Sequence, residues 1–261
     1  MKILFIGDIV GSPGREAIAR SLAELKKEYK LQFIIANAEN AAGGSGITLK
    51  VADELFGHGI DCLTSGDHIW KKRDIFGLIN QEERILRPLN FPFGAPGKGA
   101  SLFKTKEGLS VGVINVCGRV FMEPLECPFR TSRQAVEELS KQTSVIVVDV
   151  HAEATSEKIA LGWYLDGKVS AVLGTHTHIQ TADERILPQG TAYVTDVGMT
   201  GPYDSVIGRR IEDVLERFVT SIPTRLEVAS DNIQLHAVVL DIDENTGKAR
   251  SIERIQKKLL G

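Results

Sequence analysis

The sequence contains few cysteines. Its 261 residues include only Cys62, Cys117 and Cys127, which lie far apart along the chain. An odd number of cysteines with long gaps between them fits neither a disulfide framework nor the ligand spacing of a zinc finger. We therefore expect the protein to reside in a reducing, cytoplasmic compartment.

Long hydrophobic runs and a strong excess of one charge are also missing. No segment approaches the roughly 20 consecutive apolar residues that a membrane-spanning helix needs, and the N-terminal MKILFIGDIVG has too short an apolar core for a signal peptide. The net charge is −3, which gives no general attraction to nucleic acid or to an anionic membrane. These absences count against a membrane and against long nucleic acid as partners.

What the sequence does contain is typical of a globular α/β protein, with 43% hydrophobic and 25% charged residues. Apolar, β-branched runs predict strands at residues 2–7, 33–37, 60–64, 100–104, 110–116, 144–150, 169–174, 191–196 and 233–241. Helical patterns lie between many of them, at residues 14–28, 48–57, 71–80, 131–140, 154–165 and 208–220. The alternation favours parallel βαβ units. We expect one domain over residues 1–261, with two sheets inside and helices outside; the alternative is a domain boundary near residue 90.

Polar side chains follow five of the predicted strands. They are Asp8, Glu39 with Asn40, Asp67 with His68, His151, and His176 with His178. Because the carboxyl ends of parallel strands share one edge of a sheet, these residues can converge although they are distant in sequence. Three carboxylates in one place repel each other unless a cation lies between them. The sequence therefore predicts a metal site.

The donor types restrict the metal. Carboxylate, amide and imidazole ligands without thiolates suit iron, manganese or zinc better than calcium, and they argue against a structural zinc site. The predicted ligands are Asp8, Glu39, Asn40, Asp67, His151, His176 and His178. Seven ligands are too many for one catalytic ion with an open position, whereas two ions about 3.5–4 Å apart fit the number. His58 is interpreted as a loop residue, His236 as structural, and Asp149 as an outer group at most.

At these positions the sequence resembles the calcineurin-like metallophosphoesterases, and in particular their YmdB-like bacterial phosphodiesterase branch. The motifs that carry the resemblance are MKILFIGDIVGSPGR, NAENAAGGSGIT, LTSGDHIW, DVHAEATSEK, GTHTHIQTAD and VTDVGMTGPYDSVIG. The resemblance implies a four-layer αββα sandwich of two mixed sheets flanked by helices, and a dinuclear site that is often iron. It also implies that Glu39 bridges the two ions, with Asp8, Asn40 and His178 on one side and Asp67, His151 and His176 on the other.

The implied activity is hydrolysis of 2′,3′-cyclic nucleotides, with 3′,5′-cyclic nucleotides left open. A hydroxide that bridges the two ions would attack phosphorus, and His68 would donate a proton to the leaving oxygen. The alternative role for His68 is to orient Asp67. One departure concerns position 67, where the wider superfamily commonly has Asn. An aspartate should hold its ion more tightly and weaken its Lewis acidity.

Other functions stay open on the sequence alone. A phosphomonoesterase or a nuclease acting on short RNA could use the same ions, and a regulatory protein could bind a nucleotide without turnover. The loop Gly43–Gly46 and the segment TDVGMTGPYDSVIGR are candidates for the walls of the pocket, the latter also for a subunit contact. Self-association of the chain is a further expectation from the resemblance.

Overall fold

The computed structural model describes residues 1–259, so the last two residues of the predicted domain range lie outside it. Its strands are β1 (Lys2–Ile6), β2 (Asp8–Ile9), β3 (Phe33–Asn37), β4 (Cys62–Thr64), β5 (Ala100–Lys104), β6 (Ser110–Cys117), β7 (Ile146–His151), β8 (Ala171–Thr175), β9 (Arg185–Ile186), β10 (Ala192–Val194), β11 (Met199–Pro202), β12 (Ile233–Ile242) and β13 (Ala249–Lys258). Its helices are α1 (Gly11–Tyr29), α2 (Leu49–Gly57), α3 (Ile75–Leu78), α4 (Pro128–Leu139), α5 (Thr155–Leu165) and α6 (Ile211–Thr220).

The strands form two mixed sheets. In the seven-stranded sheet β1, β3 and β4 are parallel, while β12 runs antiparallel to β1, β11 and β13. In the six-stranded sheet β6, β7, β8 and β10 are parallel, and the edge strands β5 and β9 are antiparallel. The predicted mixed α/β architecture is confirmed.

Three groups of buried apolar side chains separate four layers. Phe5, Ile35, Val113 and Val238 belong to the core between the two sheets. A second core packs the outer face of the seven-stranded sheet against α1 and α2, and a third packs the six-stranded sheet against α4 and α5. The central parallel strands are buried along almost their whole length because both of their faces are covered, which explains their continuous apolar sequences.

Some predicted elements were wrong. The helix predicted over residues 71–80 is a short 3-10 turn at Ile69–Lys71 followed by the single-turn α3. Three consecutive cations and Gly77 weaken a helix there. Strand β13 was missed because its charged residues face solvent on an edge strand. Strand β11 was missed because its glycine and proline suggested a loop. No helix in the described part of the chain, residues 1–259, combines the length and apolar character that crossing a membrane requires.

Candidate metal centre

The candidate site lies where parallel strands of both sheets end. Asp8 begins β2 directly after β1, Glu39 and Asn40 follow β3, Asp67 and His68 follow β4, His151 ends β7, and His176 and His178 follow β8. In each sheet these strands are parallel, so their carboxyl ends share an edge. The stacking of the two sheets then brings both edges to one place.

The centre of the site consists of Glu39, Asp67, His151 and His176. One ligand atom from each lies within 4.8 Å of the other three. The Nε2 atom of His151 is 3.1 Å from a Glu39 carboxylate oxygen, 3.3 Å from Asp67 Oδ1 and 2.9 Å from His176 Nδ1. Atoms with lone pairs converge in this way when a cation lies among them.

Asp8, Asn40 and His178 adjoin this central group. The Nε2 atom of His178 is 3.9 Å from Asp8 Oδ1 and 3.3 Å from the amide nitrogen of Asn40. Asp8 Oδ1 is also 3.9 Å from His151 Nδ1, and the Asn40 amide donates to Glu39 Oε1 at 3.0 Å. The structure thus brings all seven predicted ligands together in one cluster.

Asn40 has an orientation that the sequence did not predict. Its amide nitrogen faces Glu39 and His178, while its Oδ1 atom faces His68 Nδ1 at 2.8 Å. A metal ligand at this position needs the oxygen toward the ions. A half-turn of the amide about its last torsion exchanges the two atoms and directs the oxygen toward Glu39 and His178.

Electrostatics favour positive charge in the centre of the site. Burial raises the pKa of Asp8 well above its ordinary value, and the nearby Asp196 and Glu39 carboxylates add to this effect although His151 opposes it. Burial acts to lower the pKa of His151, but Glu39, Asp67 and Asp8 outweigh it and raise that pKa well above the ordinary value. The buried carboxylates therefore stabilise a cation among them.

Two unpartnered atoms also fit a metal. Among the described residues, Asp8 Oδ1 and Asp67 Oδ1 are buried oxygens with no hydrogen-bond donor. A buried carboxylate oxygen without a partner is costly unless a cation is bound to it. The donor set of carboxylates, imidazoles and an amide therefore fits a metal ion, as the sequence predicted.

Gly66 makes room for this arrangement. A β-carbon at position 66 would collide with the Glu39 carboxylate and with the His151 ring. The residue immediately before Asp67 must therefore lack a side chain for Glu39 and His151 to approach each other.

A buried hydrogen-bond chain orients His151. It contains Asp149, which was expected as an outer group, and Thr175 and Asn37, which sequence reasoning missed. The Thr175 hydroxyl donates to Asp149 Oδ1 at 2.7 Å and lies 2.9 Å from His151 Nδ1. Asn37 Nδ2 donates to the other oxygen of Asp149 at 3.0 Å. Because the hydroxyl proton points to Asp149, the Thr175 oxygen accepts from His151 Nδ1, and Nε2 faces Glu39 and Asp67. Burial raises the pKa of Asp149 to about 6.

Ile207 orients His178 in a similar way. The Nδ1 atom of His178 donates to the Ile207 carbonyl at 3.0 Å, which leaves Nε2 toward Asp8. Ile207 has a φ of +45°, a left-handed conformation that is unfavourable for a β-branched residue. No pattern in the sequence points to this contact, because residues 178 and 207 are separated by several short strands and the loops between them.

His68 lies at the mouth of the pocket with 31% of its side chain exposed. Its closest polar neighbour is Asn40 Oδ1 at 2.8 Å, while its Nε2 atom is 3.6 Å from Asp67 Oδ2. The position suits a group that reaches substrate, and the contact with Asp67 is too long for a hydrogen bond.

The pocket has a volume of about 330 Å³. Its lining includes Glu39, His68 and His176 together with Val10, Gly44, Ile207 and Arg209. The Arg209 guanidinium donates to the carbonyl of Gly44 and, at 3.2 Å, to that of Leu226. Because Arg209 is the last residue of the segment TDVGMTGPYDSVIGR, its bond to Gly44 joins the two loops that the sequence suggested as walls. Glu153, which sequence reasoning also missed, lies 3.3 Å from His176 Nε2.

The two remaining histidines lie elsewhere. His236 is buried in β12 and is 2.6 Å from the Tyr203 hydroxyl, and burial lowers its pKa to about 4. His58 is exposed at the end of α2.

Comparison with known proteins agrees with the resemblance. The chain is 52% identical, over 98% of its length and 96% of the relative, to a Bacillus subtilis (strain 168) protein named 2′,3′-cyclic-nucleotide 2′-phosphodiesterase. It is 39% identical to a Mycoplasma genitalium protein named a putative phosphatase/phosphodiesterase, over 98% of this chain and 92% of that one.

Solved structures agree as well. A hypothetical protein from Thermus thermophilus superposes with a TM-score of 0.93 at 41% identity and 99% coverage of both chains. A structure described as a novel phosphatase from Mycoplasma pneumoniae has a TM-score of 0.93 at 35% identity, covering 99% of this chain and 93% of that one. Residues 4–255 match the family described as YmdB-like protein. This chain therefore belongs to the YmdB-like protein family.

Proposed function

We propose that this chain is a metal-dependent phosphoric diester hydrolase that opens 2′,3′-cyclic nucleotides. The observation that carries the proposal is the convergence of four ligand atoms, from Glu39, Asp67, His151 and His176, beside a pocket open to small molecules. The name of the Bacillus subtilis relative supplies the substrate class.

The seven donors would hold two ions. The central group would hold one ion, and Asp8, Asn40 and His178 would hold the second together with Glu39. Asn40 joins this set after the half-turn of its amide. The family resemblance favours iron, while manganese and zinc suit the same donors. When bound, the ions supply Lewis acidity, which neutralises phosphate charge and lowers the pKa of water.

The protein's own residues bind and orient the substrate. A phosphate directed at the ligand cluster leaves the ribose and base to the wall that includes Ile207, which offers apolar contact. Ile207 is half-exposed and can therefore cover one face of the ribose or base. Arg209 keeps this wall in place because its donors are engaged by the Gly44 and Leu226 carbonyls.

His68 is the proposed proton donor. Its ring stands at the mouth of the pocket beside Asn40, where it can reach a leaving oxygen of the substrate. In cleavage at the 2′ ester the oxygen of a water molecule forms a new bond to phosphorus while the bond between phosphorus and the 2′ oxygen breaks, and a proton from His68 neutralises that oxygen as it departs. The product is a nucleoside 3′-phosphate. The contrasting role, orientation of Asp67, has weaker geometric support because of the 3.6 Å separation.

We also propose that residues 1–261 act as one domain. Side chains from both sheets form the core between them, and the ligands come from both sheets. A boundary near residue 90 would separate Asp8, Glu39 and Asp67 from the three histidine ligands.

A substrate panel with metal analysis tests the proposal. Protein purified without chelator should contain close to two transition-metal ions per chain and hydrolyse 2′,3′-cyclic AMP to 3′-AMP. The same preparation is assayed on 3′,5′-cyclic AMP and on 3′-AMP. Preferential hydrolysis of 3′-AMP would replace the proposal by a phosphomonoesterase. Tight binding of 2′,3′-cyclic AMP without turnover, in protein with full metal content, would favour a nucleotide sensor.

A further inference from the structure

A buried ion pair lies next to the metal centre without belonging to it. Lys158 is on α5 and Asp196 follows β10. Their side chains are 1% and 0% exposed, and the Lys158 ammonium donates to Asp196 Oδ2 at 2.8 Å. Neither residue is a proposed ligand or proton donor. Because burying two charges is costly and a buried pair adds little net stability by itself, the role of this pair lies in the other contacts of Asp196.

The Asp196 carboxylate holds the turn between the last two histidine ligands. Its Oδ2 atom accepts the backbone N–H of Thr177 at 3.0 Å and the Thr177 hydroxyl at 2.6 Å. Thr177 stands between His176 and His178, which bind different ions in the proposed site. The two histidines have φ angles of +96° and +66°, which are unfavourable for residues other than glycine. The turn therefore needs contacts such as these to keep its shape.

The other carboxylate oxygen connects this turn to Asp8. Asp196 Oδ1 accepts the backbone N–H of Gly198 at 2.8 Å, and the Gly198 carbonyl accepts the backbone N–H of Asp8 at 3.0 Å. Asp8 Oδ2 in turn accepts the backbone N–H of His176 at 3.1 Å. A β-carbon at Gly7 would collide with the Gly198 carbonyl, so the close approach of these segments requires glycine there. One buried carboxylate thus connects the segments that carry three of the predicted ligands.

The hydrogen bonds of Asp196 distinguish it from the ligand carboxylates. Its Oδ2 atom accepts from Lys158 and twice from Thr177, and its Oδ1 atom accepts from a backbone N–H. Two carboxylate oxygens of the ligand set, in contrast, are buried without a donor. Lys158 gives Asp196 the compensating positive charge that a metal would give the ligands. Asp196 is therefore a supporting group and not an eighth ligand.

We propose that Asp196, neutralised by Lys158, is a positioning residue for the metal centre, because it holds Thr177 so that the imidazoles of His176 and His178 face the ions. This inference rests on the proposed function in requiring a metal at the site, but it does not depend on which phosphate ester is hydrolysed. The turn carries one ligand of each ion. Loss of the Asp196 contacts should therefore weaken the binding of both ions.

Competition with a chelator of known affinity, without substrate, measures Mn²⁺ binding and tests the proposal. Asp196→Asn should lower the Mn²⁺ affinity at least about tenfold, because its amide nitrogen must face donors that a carboxylate oxygen accepted. Asp166→Asn is the matched control. Asp166 is 2% exposed, lies at the end of α5 and accepts the backbone N–H groups of Gln189 and Thr191. This control should lose thermal stability but keep the wild-type Mn²⁺ affinity.

Thr177 gives a second test that leaves the buried charges in place. Thr177→Val removes the hydroxyl that donates to Asp196, whereas Thr177→Ser keeps a hydroxyl. Thr177→Val should bind Mn²⁺ at least about threefold more weakly than Thr177→Ser, because a hydrogen bond to a charged group is lost. Circular dichroism and melting temperatures verify that each variant is folded.

Wild-type Mn²⁺ affinity in folded Asp196→Asn would overturn the proposal, and so would an equal loss of affinity in Asp166→Asn. If Asp196→Asn fails to fold, the Thr177 variants decide, and equal Mn²⁺ affinities of Thr177→Val and Thr177→Ser would overturn it. Hydrolysis of 2′,3′-cyclic AMP is assayed separately. A wild type that binds Mn²⁺ without hydrolysing this substrate would overturn the proposed function alone, whereas a wild type that binds no Mn²⁺ would overturn both.

Discussion

The floor and the rim of the metal centre differ in how the fold holds them. The floor consists of Asp8, Glu39 and His151, which are at most 1% exposed and lie at strand ends. The rim consists of Asp67, His68 and His176, whose side chains are between about a quarter and a third exposed. The two packed sheets fix the positions of the floor residues, whereas the rim residues lie on the loops that follow strands β4 and β8.

This difference predicts whether a substitution changes metal content or turnover first. Buried carboxylates with an unpartnered oxygen are tolerated only when a cation is bound, so changes in the floor should act first on metal content. Groups at the rim face the pocket and have solvent to replace a lost contact. Substitution of His68, the rim residue that is not a proposed ligand, should act first on turnover, whereas substitution of the partly exposed ligand Asp67 should weaken metal binding only modestly.

Glu39→Gln should have the largest effect, because it removes the carboxylate that both groups of ligands share. We expect loss of most bound metal and a fall in hydrolysis of 2′,3′-cyclic AMP of more than about 10⁴-fold, since the Lewis acidity of the site disappears with it. Metal analysis by mass spectrometry and a rate assay measure both quantities. Full metal content with wild-type activity would contradict the proposed role of the floor.

His68→Gln should separate the rim from the floor. We expect turnover to fall about 10²–10⁴-fold, the range for loss of a general acid, with metal content unchanged. The deficit should shrink on a substrate whose leaving group needs no protonation, such as a p-nitrophenyl phosphodiester. His58→Gln, at an exposed histidine outside the pocket, is the control and should match the wild type. An equal deficit on both substrates would argue against proton donation.

Thr175→Val tests the hydrogen-bond chain beneath the floor. The variant keeps the shape of the side chain but removes the oxygen that contacts His151 and the donor to Asp149. Metal affinity should fall about 10–100-fold, the usual cost of losing the partner of a ligating histidine. Competition with a chelator of known affinity gives the measurement. Unchanged affinity would mean that sheet packing alone orients His151.

Asp67→Asn should have the smallest effect. Asp67 is partly exposed, so solvent screens the lost charge, and the amide oxygen can still act as a ligand. We expect metal affinity to weaken by about tenfold or less, with the fold and melting temperature retained. Chelator competition and a thermal melt on the same sample test this. A tighter metal site in the variant would refute the argument from ligand charge.

Much of the fold could be predicted from the sequence, and so could the clustering of the predicted ligands at the carboxyl ends of the strands. Continuous apolar runs mark the buried parallel strands, and polar residues mark their ends. The directions in which the side chains point could not be predicted. The Asn40 amide orientation and the contact between His178 and the Ile207 carbonyl depend on loops that meet only after the two sheets have packed. Strand β13 was missed for a related reason, since its alternating charges describe one exposed face rather than a loop.

Ile207 lies between the proposed metal site and the proposed substrate pocket, because its carbonyl accepts from His178, a proposed ligand, and the residue lines the cavity. A nucleotide that displaces Ile207 on binding must therefore change how His178 is oriented toward its proposed ion. If nucleotide binding changes the affinity for metal by some factor, metal binding must change the affinity for nucleotide by the same factor. Nucleotide titrations at saturating and at limiting metal concentration would therefore measure the coupling free energy between the two binding events.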